Sequence, residues 1–321
     1  MVDSPDDAMV NAPPDCREQR RPETRVTVDP LTRATVLPIW TKPVRPIHME
    51  GLSTISYFVQ DEDRAYVVRF GRDQPFHHIS RSRELMVSLA AHKAGFSPEI
   101  VHVGPGVVVG VYIDGVTYKA EDVRANIGRV AEMTRRFHEQ MPRHVSGPGY
   151  LFWVFHIIRD YGRMLLEERH PMSDRIGAWI EIAGEMEREQ IPLPIVFGHN
   201  DLTPSRIIDD GNRLWFVDFV HSGFSTALYD LASLAGRCEF AEDDNEELLE
   251  AYFGKDLTPP LRRSYDAMMC AAILRDVMWA LVSEMHNDVP PGVDIAASVV
   301  RDLDRFDKAL DRYRSRHGAV R

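Results

Sequence analysis

The spacing of apolar residues changes character once along this chain, and that change limits the fold more than any other feature. Between residues 45 and 113 the apolar residues fall in short runs bounded by polar or small-residue turns. Residues 46–49, 55–59, 65–70, 99–103 and 106–113 read as strands, and 60–64 and Asp114-Gly115 as turns. One amphipathic helix interrupts them at 80–94, with Ser80 able to cap it and Gly95 to end it. From residue 121 onward helical spacing dominates: 121–140, 152–169, 174–188, 229–235, 245–253, 259–286 and 293–313, the last two separated by Pro290-Pro291-Gly292. Sheet first and helices afterwards define an α+β chain with a small antiparallel lobe and a larger helical lobe. The expected boundaries are an N-terminal arm at 1–38, a sheet lobe at 39–118 and a helical lobe at 119–321. The arm is rich in Pro, Asp and Arg and lacks apolar periodicity, so it reads as disordered.

One stretch breaks the helical pattern. Residues 195–230 read IVFGHNDLTPSRIIDDGNRLWFVDFVHSGFSTALYD. Two apolar runs, 195–197 and 214–217, lead straight into polar residues: His199, Asn200 and Asp201 after the first, Asp218 after the second. Asp209-Asp210-Gly211-Asn212 between them is a strong turn signal. A hairpin with these two arms would bring both carboxylates to one mouth, a layout that suits a metal–nucleotide site. A surface hairpin with ordinary turn acids is the alternative on spacing alone.

Composition narrows the function classes. The 321 residues carry a net charge of −11, which disfavours a nucleic-acid or anionic-membrane surface. The three cysteines, Cys16, Cys238 and Cys270, form no close pair and no zinc spacing, which fits a reducing, cytoplasmic compartment. No apolar run is long enough to span a bilayer, and the N-terminus has no secretory pattern.

Six segments, in this order and spacing, resemble the bacterial choline and ethanolamine kinase group of the aminoglycoside phosphotransferase superfamily: YVVRF (66–70), RELMVSLAAHKAGFSPEIV (83–101), VYIDGVTY (111–118), HNDLTPSRII (199–208), WFVDFVHSGFSTALYDLASLA (215–235) and LRDVMWALV (274–282). The resemblance implies a protein kinase-like two-lobe fold and transfer of the γ-phosphate of ATP, with Mg²⁺, to the hydroxyl of an amino alcohol such as choline or ethanolamine. Asp201 is then the catalytic carboxylate, His199 braces its loop, and Asp218 binds the metal. Arg69 meets the α- and β-phosphates and pairs with Glu84. Gly51, Ser53 and Thr54 cover the phosphates, and Val109 to Val111 form the hinge against adenine. For the acceptor, Trp279 and Asp276 share one helix face, Phe219 and Tyr229 flank the presumed activation segment, and Glu239 is a further ammonium partner; aromatic faces and carboxylates attract such a cation.

Three positions depart from the family pattern, all around metal and phosphates. The Asn expected five residues after Asp201 is Arg206, and a guanidinium donates hydrogen bonds but cannot ligate Mg²⁺. The Glu often found two residues after the metal Asp is Val220, and the Asn-rich turn is replaced by GLSTISY at 51–57. These leave a second reading, a catalytically impaired pseudokinase or ligand-binding module.

Overall fold

The computed structural model describes residues 29–49, 54–255, 257–286 and 294–318. Most of the expected arm, the turn residues Gly51 and Ser53, and the Pro-Pro-Gly break at 290–292 lie outside the described residues. The end of that arm is ordered. Helix α1 (Pro30–Thr35) is capped by Asp29, whose carboxylate accepts from the amides of Leu31 and Thr32, and Ala34 is fully buried. Trp40 donates its indole N–H to the Ala34 carbonyl and packs its ring on Tyr66.

The surface that receives α1 is an antiparallel sheet built from β1 (Ile47–Met49), β2 (Ile55–Asp61), β3 (Arg64–Phe70), β4 (Ile100–Gly104) and β5 (Val107–Val111), in the order β1-β2-β3-β5-β4. Helix α2 (Arg81–Lys93) connects β3 to β4. Register places Tyr57, Val68 and Val109 in one cross-strand row, and these join Ala34 in a small core. Alternation along β3 turns Arg69 to the opposite face, toward α2 and the helical lobe. The chain leaves the sheet at Tyr112 and passes through a short linker to β6 (Val116–Thr117). Gly115 lets the linker lie close to the helical lobe, because a Cβ there would fall 2.6 Å from the Asp209 carbonyl oxygen.

The helical lobe holds α3 (Ala120–Ala125), α4 (Ile127–Gln140), α5 (Val154–Glu167) and α6 (Ser173–Arg188), then four short strands, β7 (Ile195–Gly198), β8 (Ile207–Asp209), β9 (Leu214–Phe216) and β10 (Gly223–Thr226). Helices α7 (Ala227–Arg237), α8 (Glu242–Phe253), α9 (Pro259–Met285) and α10 (Ile295–His317) follow. The single helix expected at 121–140 is two, broken at Asn126, which has φ −133° and ψ 29°. Helix α9 is apolar on nearly every face from Ala267 to Val282, and it is covered by α5, α6, α7 and α10. Among the described residues no helix is long and apolar enough to cross a membrane.

The expected hairpin needs correction. Its two apolar arms are not partners: β7 pairs with β10, while β9 pairs with β8, on whose outer edge β6 adds. The turn at 209–212 closes β8 onto β9, with Asp210 accepting from the amides of Asn212 and Arg213. His199 to Asp201 and Asp218 therefore converge as the ends of two different ribbons.

Candidate active site

The loop after β7 is fixed by backbone hydrogen bonds to one buried carboxylate. Asp230, in the first turn of α7 and fully buried, accepts from the amides of His199 and Asn200, both at 2.7 Å, and from His138 Nε2 at 2.9 Å. Asn200 has φ +59°, so the chain turns sharply there, and its side-chain amide donates to the carbonyls of His221 and Gly223. Gly198 is required at the turn, since a Cβ would lie 2.4 Å from Asn200 Oδ1. His199 Nε2 donates to the Val217 carbonyl at 3.1 Å, which ties this loop to the segment carrying Asp218. Burial, outweighing Asp230, holds the His199 imidazole below its ordinary pKa, so the ring is neutral. Asp218 itself follows β9 at φ +68°, a left-handed position that aims its carboxylate back toward Asp201.

Arginines surround both carboxylates. Arg69 donates to Asp218 Oδ1 at 2.8 Å and lies 3.0 Å from Glu84 Oε1, while Arg81 takes the other Glu84 oxygen at 2.6 Å. Arg206 reaches Asp218 Oδ2 through Nε at 3.0 Å and Nη2 at 2.9 Å, and through Nη1 it pairs with Asp201 Oδ2. Asp201 Oδ1 faces Arg237 at 3.1 Å and Arg275 at 3.7 Å. These two also share Asp276, at 2.7 and 3.2 Å. Burial raises the Asp201 carboxyl, but Arg206 first and Arg237 next overcome it and hold the group well below the usual carboxylate range. Asp218 is depressed in the same way, against burial, by Arg206 and Arg69. Both are ionised at neutral pH.

The donor set can be tested for a divalent metal. Mg²⁺ requires several oxygen ligands at about 2.1 Å in octahedral geometry. Among the described residues there is no group of three His, Cys, Asp or Glu able to hold a metal ion. The two carboxylates that could contribute have every oxygen facing a guanidinium. A dication between them would stand beside Arg206, and at 4 Å and an effective dielectric of 20 that repulsion is about 8 kcal/mol. With Arg206 in this position the residues do not fit the metal.

The remaining expected site residues fall into three situations. Thr54 stands at the start of β2, its hydroxyl 3.2 Å from Ser56 Oγ. Val109 is fully buried in the sheet core, and the Val111 amide already donates to the Glu99 carbonyl at 2.8 Å. Free linker backbone begins beyond Tyr112, whose own amide is bonded to the Ala65 carbonyl. Phe219 stacks on Phe137 with centroids 5.9 Å apart, and Tyr229 packs on Phe152; both are core residues, 1% and 2% exposed, and present no face to a ligand. Trp279 is half-buried, with one face covered by His77 at 4.9 Å. Asp276 is already neutralised by two arginines, and Glu239 is exposed and 3.8 Å from Arg305.

Sequence reasoning gave Asn200 no role and missed Asp230, His138, Arg237 and Arg275. The only local signal was charge on otherwise apolar helices: Arg275 is 2% exposed inside α9, a burial that an arginine tolerates only with partners. His221, which receives a hydrogen bond from Arg275 at 3.0 Å, belongs to the same cluster.

A family described as "Phosphotransferase enzyme family" matches residues 44–268. The protein LicA of Haemophilus influenzae is 24% identical over 248 residues, covering 73% of this chain and 89% of LicA. A choline/ethanolamine kinase family protein from Mesorhizobium loti superimposes with a TM-score of 0.70 at 26% identity, over 87% of this chain and 92% of that one. A structure of LicA in complex with AMP gives a TM-score of 0.69 at 19% identity, over 88% and 96%.

Proposed function

Because the chain belongs to the phosphotransferase enzyme family, we propose that it transfers the γ-phosphate of ATP to the hydroxyl of an amino alcohol of the choline and ethanolamine class. The observation that carries this reading is the setting of Asp201. It is 6% exposed and stands on a loop whose preceding two amides are locked by Asp230. A carboxylate offers about four acceptor positions, and three arginines leave room for one hydroxyl.

The depressed pKa of Asp201 makes it a weak proton acceptor, which suits phosphoryl transfer. The transition state is loose, and positioning with charge neutralisation supplies most of the catalysis. Asp201 would orient the acceptor O–H by accepting its hydrogen bond. The new bond forms between that oxygen and the γ-phosphorus, the bond to the β,γ-bridging oxygen breaks, and ADP leaves. The hydroxyl proton passes to solvent through Asp201. Arg69, held by Glu84 and Asp218, is the cation that faces the cleft from the sheet lobe, where nucleotide phosphates would lie.

Nucleotide use is supported by the kinase relatives and by the AMP complex of LicA. The acceptor class is supported by the likeness to the choline/ethanolamine kinase family protein. On this chain the ammonium would have to displace an arginine from Asp276, with Trp279 one turn away on α9. The test is phosphate transfer from ATP to a panel of choline, ethanolamine, thiamine, sugars and aminoglycosides. Turnover should be highest with choline or ethanolamine and fall about 10²–10⁴-fold in Asp201→Ala. No acceptor turned over faster than by that variant would overturn the reading.

A further inference from the structure

We propose that Arg206 is a built-in cation occupying the place of a divalent metal between Asp201 and Asp218, so that this chain binds nucleotide phosphates without Mg²⁺. The inference rests on the nucleotide-binding part of the function proposed above and departs from the cofactor which that function ordinarily uses.

The position is built, not incidental. Residues 204–206 form a single 3-10 turn started by Pro204, and the Arg206 amide donates to the Thr203 carbonyl at 3.0 Å. The Arg206 carbonyl in turn accepts from the Val217 amide at 3.1 Å, so its backbone is fastened beside Asp218. From there the guanidinium spans both carboxylates, with its flat edge on Asp218 Oδ2 and its far nitrogen on Asp201. The same Nη1 also donates to the Asp201 main-chain carbonyl at 2.5 Å. The side chain is 15% exposed, shielded from water that would weaken these pairs.

The contacts do what a bridging metal does for two carboxylates. Together with Arg69 on Asp218 and Arg237 on Asp201 they balance the charge of the pair, and they hold its spacing. Of the five N–H groups of a guanidinium, Asp218 takes two and Asp201 two, one at a carboxylate oxygen and one at the carbonyl. The last N–H is available to a phosphate oxygen. Arg69 faces the same carboxylate from the sheet lobe, and Arg237 lies across Asp201. A free nucleoside triphosphate therefore meets guanidiniums already in place, where a dication would have to dehydrate and find vacant oxygens. Removing the Arg206 side chain would leave the Oδ2 atoms of Asp201 and Asp218 without a cationic partner, two neighbouring carboxylate oxygens open to a metal.

The decisive measurement is calorimetric titration of the intact chain with ATP, once in chelator and once in millimolar Mg²⁺. The expected dissociation constants agree within about threefold. Tightening beyond about threefold in Mg²⁺ would show that metal displaces Arg206 and would overturn the inference while leaving nucleotide binding standing. Failure to bind ATP in either buffer would remove the nucleotide reading, and this inference with it. Arg206→Asn carries the converse expectation: affinity for ATP becomes Mg²⁺-dependent by about tenfold, and Mn²⁺ alone binds, as read by paramagnetic relaxation of water. Mn²⁺ binding to the wild-type chain as tightly as to this variant would also overturn the inference. The two wild-type titrations decide the question even if Arg206→Asn does not fold.

Discussion

Asp230 and Asp201 are both buried carboxylates of one loop system, and they are satisfied in opposite ways. Asp230 is fully enclosed and accepts from two main-chain amides and a histidine. Asp201 receives only the ends of long side chains, those of Arg206, Arg237 and Arg275. Main-chain donors cannot leave without unfolding the loop, whereas a guanidinium can swing or change partner. The first carboxylate builds the loop; the second is held in charge balance and stays available for exchange with a substrate hydroxyl. Burial alone does not tell the two apart. What separates them is whether their partners are free to move.

The sharpest way to break this comparison is to remove each carboxylate in turn. Asp230→Ala strands two buried amides and His138, and it should destabilise the chain by about 3–5 kcal/mol in urea unfolding. Asp201→Ala should cost distinctly less, because Arg206 keeps Asp218 and both Arg237 and Arg275 keep Asp276. Equal losses in the two variants would mean that Asp201 is as structural as Asp230, and the distinction would fail.

The same contrast explains what could be read from sequence. The order of strands and helices was legible because each strand is a short apolar run and each helix a long periodic one. The Arg69–Glu84 contact was anticipated through the family resemblance, since on its own a lone strand arginine reads as an edge or snorkelling residue. Asp230 was not legible: an acid in the first turn of α7 reads as an ordinary dipole partner, and nothing local shows that it points at amides 30 and 31 residues upstream. The pairing of β7 with β10 was hidden for a similar reason, since Gly223-Phe-Ser-Thr226 has no β-branched run to announce a strand. Phe219 and Tyr229 were assigned to a pocket because they are aromatic and near Asp218. Spacing does not reveal which side of a loop faces the core, and both face it. Arg206 was visible as an anomaly, but whether it pointed into the cleft or out to solvent depended on the turn at 204–206.

Titration sharpens the comparison by a smaller amount. His77, His199 and His221 are all held neutral mainly by burial, His77 down to about 2 by burial and then Arg275, and His221 well below its ordinary value for the same reasons. Above an unfolded value of 6.5, neither the folded nor the unfolded chain protonates them. As pH falls below that, the unfolded chain takes up protons that the folded chain refuses, so stability declines by as much as about 1.4 kcal/mol per pH unit for each histidine. Asp201 and Asp218 add a second loss only below their unfolded value of 3.8, because the arginines keep them ionised in the fold. Urea midpoints should therefore fall from pH 6.5 toward 5, before the carboxylates contribute. A flat profile over that interval would show that the three histidines are not sealed from protons.

The smallest effect is expected at Glu84, on the sheet-lobe side of the cleft, where the carboxylate pairs with two side chains, Arg69 at 3.0 Å and Arg81 at 2.6 Å. By the reasoning that separates Asp230 from Asp201, both arginines can re-pair: Arg69 keeps Asp218 at 2.8 Å, and Arg81 keeps its bond from Nε to the Arg72 carbonyl. Glu84→Gln retains the shape and some hydrogen bonding while removing the charge, so stability should fall by only about 1 kcal/mol. What should change more is Arg69, drawn fully onto Asp218 and away from the cleft, with nucleotide affinity weakened by about fivefold or more. A double-mutant cycle with Arg69→Met separates the two effects. Coupling in nucleotide affinity but little coupling in unfolding would put Glu84 with Asp201, as a group that positions a mobile cation. A stability loss above about 3 kcal/mol would put it with Asp230 and would show that exchangeable donors can build a fold as firmly as main-chain ones.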